Sequence, residues 1–78
     1  MKEYNIEKLE NLSITDLINL LNYEKERDIN NDFALNTYRK LDINDKVVYR
    51  NIQIFEEYKL IIQRNINKIN NLIQQKLI

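Results

Sequence analysis

KVVYRNIQIFEEYKLIIQRNINKINNLIQQKLI, residues 46–78, is the stretch on which the fold turns. It contains no helix breaker, and Val48, Ile52, Phe55, Ile62, Ile66, Ile69 and Ile73 recur at intervals of 4, 3, 7, 4, 3 and 4. That spacing is a heptad seam. Lys59 fills the one vacant place in the register, with Tyr58 beside it on the inner side. The pattern predicts one helix over 46–78, about 48 Å long at 1.5 Å per residue. Ile54, Ile61 and Leu72 lie on one flank of the seam and widen the apolar arc to roughly half the circumference. One neighbouring helix covers less than that, so two neighbours are implied.

Upstream, Ser13 followed by Asp16 is a shortened capping box and predicts a helix over 14–27, with Ile14, Leu17, Ile18 and Leu21 on one face. Asp28-Ile29-Asn30-Asn31-Asp32 is a cluster of turn formers and reads as a corner. A second short helix is predicted over 32–41, on the stripe Phe33, Ala34, Thr37, Tyr38 and Leu41, and Asp42-Ile43-Asn44-Asp45 makes the next corner. Residues 3–12 form a short acidic segment ahead of these. The expected architecture is all-α: a small helical bundle in a single domain, 1–78, of two short helices and one long C-terminal helix. Laid end to end, the two short helices reach only about 36 Å. The far end of the long helix therefore calls for a second copy, docked along Ile62, Ile66, Ile69, Leu72, Ile73 and Leu77. A homodimer is the simplest assembly of that kind.

Composition narrows the function. Gly, Pro, His and Cys are all absent. Without Gly there is no phosphate-cradling loop. Without His and Cys there is no zinc site of the usual kind, no thiolate nucleophile and no side chain that ordinarily titrates near neutrality. The carboxylates do not compensate: Glu56 and Glu57 are adjacent and diverge around a helix, while Asp28, Asp32, Asp42 and Asp45 read as turn and cap residues. No catalytic residue, cofactor site or metal ligand is assigned, and an enzyme is not expected. The apolar fraction, 44%, is too high for a disordered chain. No apolar run is long enough to cross a membrane, the first residues carry no signal-type run, and Cys is missing, so the expected compartment is the cytoplasm. Asn (13), Ile (13), Lys (8) and Tyr (5) make half of the 78 residues. These types use A/T-rich codons and point to a low-GC genome, with phages and mobile elements among the possible sources.

The net charge of zero hides a division. Residues 1–45 carry six basic and ten acidic side chains; residues 46–78 carry six basic and two acidic. Lys46, Arg50, Arg64 and Lys68 share one side of the long helix and form a candidate polar partner surface. A nucleic-acid backbone is one ligand for such a stripe, but four cations over that length are sparse for a footprint of that kind. The other ligand is the chain's own acids. Glu3, Glu7 and Glu10 recur at helical spacing beside Ile6 and Leu9, which makes the N-terminal segment a candidate docking element. Residues 14–41 match a helix-turn-helix poorly, because the corner lacks Gly and the second helix opens on an acid. The reading that best fits all of this is a small adaptor, inhibitor or regulator that binds a protein partner and occludes its surface. A small helical nucleic-acid-binding protein is the alternative.

Overall fold

The computed structural model describes residues 2–78 and is built from helices alone. In chain order these are α1 (Ile6–Glu10), α2 (Ile14–Arg39) and α3 (Lys46–Leu77). Each helix starts on a side-chain cap of the kind that satisfies orphan N–H groups. Asn5 accepts from the Glu7 N–H at 2.9 Å, Ser13 Oγ accepts from the Asp16 N–H at 3.1 Å, and Asp45 Oδ1 accepts from the Val47 N–H at 2.8 Å. The corner at 42–45 is present, and the Asn44 N–H donates to Asp42 Oδ1 at 3.0 Å in an Asx turn.

The corner expected at 28–32 is absent. α2 runs unbroken through it for 26 residues, replacing the two short helices predicted over 14–27 and 32–41. No Gly or Pro forces a break there, and the polar side chains find partners across the helix interface. Lys59 Nζ lies 2.8 Å from Asp32 Oδ1 and 3.5 Å from Asp28 Oδ1, Gln63 donates to Asp28 at 3.0 Å, and Asn31 donates to the Phe55 carbonyl at 2.9 Å. The vacancy at Lys59 in the α3 seam and the acids of α2 are thus two halves of one contact. Tertiary pairing outweighs the local turn preference of Asp and Asn.

α2 and α3 pack side by side as an antiparallel hairpin, and the molecule measures 50 × 18 × 15 Å. Its apolar core lies in two clusters. Near the open end of the hairpin, Leu9, Leu17 and Leu21 meet Ile69 and Leu72; near the connecting loop, Leu35 meets Val48 and Ile52. Between them sit the polar contacts just described, together with fully buried Ile62, Glu24 and Asn65.

A continuous α2 changes the expected assembly. At about 39 Å it is long enough to cover most of α3. Ile62, Ile69 and Leu72 are buried inside the protomer, and Ile66 and Ile73 are partly buried against the same cluster. Of the six residues expected to form a seam with a second copy, Leu77 alone is exposed. That seam is used within the chain.

Candidate functional site

The most elaborate polar geometry lies where the N-terminal residues cross the hairpin. Residues 2–5 are not helical; they run as an arm into α1, which sits against α3. The anchor is Asn65, fully buried on α3. Its side-chain oxygen accepts from the Tyr4 N–H at 2.7 Å, and its amide nitrogen donates to the Lys2 carbonyl at 3.2 Å. One amide side chain thereby holds the backbone of the arm at two points. Tyr4 extends inward, and its hydroxyl donates to Glu24 Oε1 at 2.8 Å. Glu24, fully buried on α2, also accepts from Arg27 at 3.0 Å and from Asn65 at 3.5 Å. Burial, then the hydrogen bond to Glu24, push the Tyr4 phenol up from 10.0 to about 12. A buried carboxylate requires such partners, since unpaired it would cost several kcal/mol.

Cations on α3 complete the grip. Lys68 Nζ lies 3.2 Å from a Glu3 carboxylate oxygen and donates to the Tyr4 carbonyl at 3.1 Å, while Arg64 Nε lies 3.7 Å from Glu3. Lys76 donates to the Glu10 carbonyl at 3.1 Å, fastening the end of α1. The candidate basic stripe therefore divides. Arg64 and Lys68 meet the arm, whereas Lys46 and Arg50 form no ion pair among the described residues and stand exposed near the loop end.

The candidate docking residues divide as well. Glu3 makes the ionic contacts and Leu9 enters the core. Ile6, Glu7 and Glu10 are exposed. Tyr4, Glu24, Asn65 and Lys76 did not stand out in the sequence. The Asn65 side chain grips the non-helical backbone of residues 2–4, and that kind of contact leaves no periodic trace. Glu24 lies on the inner face of α2, at i+7 from Leu17, and that placement of an acid was the available signal.

The outer surface carries a second feature. Ile29 and Phe33 are 68% and 75% exposed, one turn apart on the side of α2 that faces away from α3. Leu41, Ile43 and Val47 are exposed around the connecting loop. No helix among the described residues is long and apolar enough to cross a membrane. No protein-family model, curated protein or solved structure matches the chain.

Proposed function

We propose that the protein is a non-enzymatic, intracellular binding module that covers a surface of a partner protein, as a small adaptor, inhibitor or regulator. One observation carries the reading: Ile29 and Phe33 form an exposed apolar ridge on a helix whose opposite face is already filled by the core. Large apolar side chains grouped on an outer face are a feature of protein contact sites, and an aromatic anchor supplies much of the energy in such contacts. The partner is a protein with an apolar groove that accepts two side chains one helical turn apart. Its surroundings on α2, Asn22, Lys25, Glu26 and Asn36, supply a polar rim that carries both signs of charge.

The nucleic-acid reading draws less support, because Glu3 sits on Arg64 and Lys68 and leaves only half the stripe without an acid. Binding to duplex DNA at physiological salt is expected to stay in the weak, non-specific range. Micromolar binding that falls with salt and vanishes in Lys46→Glu/Arg50→Glu would reverse the choice.

The direct test immobilises the full chain and an Ile29→Glu/Phe33→Glu variant beside it, and exposes both to extract of the source cells. Both side chains are exposed, so the variant should melt within a few degrees of the parent. A protein retained by the parent and lost by the variant supports the reading. Identical retention by the two rules out this ridge.

A further inference from the structure

The two long edges of the α2–α3 hairpin are finished differently. One is closed by charge: Lys59 with Asp28 and Asp32, Gln63 with Asp28, and Arg39 with Glu56 at 3.3 Å. The other is closed along only half its length. On that edge α3 carries a second 4,3 register beside the buried one, running Val47, Asn51, Ile54, Tyr58, Ile61, then Asn65, Lys68 and Leu72. From Asn65 onward the chain's own arm and α1 lie on it, through Lys2, Glu3, Tyr4 and Leu9. Over Val47–Ile61 nothing among the described residues continues that cover. Val47 is 68% exposed, and Ile54, Tyr58 and Ile61 remain partly exposed.

We propose that a second copy of this chain occupies the open half of this edge, with the two α3 helices antiparallel about a two-fold axis close to Ile54. Two observations select that occupant. First, the open register is continuous with one the protomer already uses for packing, and it is centred on Ile54, with Val47 and Ile61 seven residues to either side. An antiparallel copy places the Ile54 side chains near the axis and Val47 of each chain toward Ile61 of the other. Second, the flanking charges are self-complementary. Arg50 and Glu57 are exposed, lie one heptad apart beside the open half, and make no ion pair among the described residues. The same antiparallel placement brings Arg50 of each copy to Glu57 of the other, so the pair forms twice. A parallel placement would set like charges together. The arm fixes where the contact ends, because beyond Ile61 the register is already sheathed. The open stretch spans about 21 Å of helix. That is a modest interface, and it belongs to a reversible dimer rather than an obligate one.

The experiment is sedimentation equilibrium on the full chain at low salt, from ten to several hundred micromolar. The parent is expected to be in monomer–dimer exchange over that range. Arg50→Glu and Glu57→Arg, each alone, set like charges against each other twice and should weaken association by about tenfold or more. Mixing the two single variants makes both cross-pairs attractive, so an equimolar mixture should dimerise as a heterodimer. The double variant Arg50→Glu/Glu57→Arg should recover the homodimer. Val47→Glu, at an exposed position, should abolish association without altering the helical circular dichroism. A parent that stays monomeric throughout overturns the proposal, as do single variants that associate like the parent or a mixture that stays monomeric. None of these substitutions touches Ile29 or Phe33, so failure here is separable from failure of the binding ridge.

Discussion

Asn65 and Glu24 are polar residues with no exposed surface, and each is tolerable because its polar atoms are partnered: Glu24 by Tyr4, Arg27 and Asn65, and Asn65 by the backbone of Lys2 and Tyr4. Truncating Asn65 to Ala would release the backbone of Lys2 and Tyr4 and remove a donor from Glu24. At about 1–3 kcal/mol for each buried group left without a partner, Asn65→Ala should lose more stability than any single surface change, read as a lower urea midpoint. Tyr4→Phe is milder. It deletes one hydrogen bond to a charged acceptor, worth about 1.5–3 kcal/mol. It also changes the response to alkali. In the unfolded chain the phenol ionises near 10.0, while in the fold it is held protonated to about 12. Its contribution is therefore complete below pH 10 and disappears as pH climbs through that interval. Lys59 acts in the same direction. Its bond to Asp32 raises it above 10.5, so its contribution also is present below that value and lost above it. The melting temperature should fall steeply between pH 10 and 12. In Tyr4→Phe it should start lower at pH 7 and fall less steeply; parallel curves for the two proteins would contradict this account.

Among the elements, α2 is where local preference and tertiary contact disagree. Asp28, Asn31 and Asp32 form a run that a turn would favour, yet they sit in helix because α3 answers each of them. The dependence can be tested by a compensation series. Lys59→Leu alone leaves Asp28 and Asp32 one turn apart with no cation; as these side chains are partly open to water, it should destabilise by about 1 kcal/mol. Adding Asp28→Ala and Asp32→Ala should recover most of the loss, since it removes the like-charged pair that Lys59 no longer neutralises. Calorimetry on the three proteins decides it. This contact also marks the boundary of what the residues alone disclosed. α3 was legible because its seam is periodic and uninterrupted; the starts of α2 and α3 were legible because Ser13 and Asp45 are caps. Glu3 against Arg64 and Lys68 was legible as charge facing charge. The run at 28–32 was misread because turn propensity carries no information about a lysine 27 positions downstream of Asp32. The two clues, Lys59 breaking an apolar register and Asp28–Asp32 at i,i+4, become informative only when set side by side. The bracket that Asn65 places on residues 2–4 had no such clue, because an extended arm held by its backbone imposes no spacing on side chains.

At the scale of the whole molecule, the protein is a helical hairpin with an arm laid along one edge. The arm brings Leu9 into the core and shields Ile69 and Leu72. Deleting residues 2–12 should lower the melting temperature by well over 5 °C, because a chain of this size has only several kcal/mol of net stability to lose. An unchanged melting temperature would mean that the arm is ornamental. The arm also orders the events of folding. Its hydrogen bonds to α3 join positions 61 to 66 apart, whereas six residues connect α2 to α3. Closing the large ring first is entropically the poorer route, so the hairpin should zip from its loop and the arm should latch afterwards. Substitutions in the arm, such as Tyr4→Phe or Leu9→Ala, are then expected to leave the refolding rate nearly untouched and to accelerate unfolding. Substitutions at Leu35 or Ile52 should slow refolding instead. On this ordering, the segment that comes before both long helices in the sequence is the last to find its place.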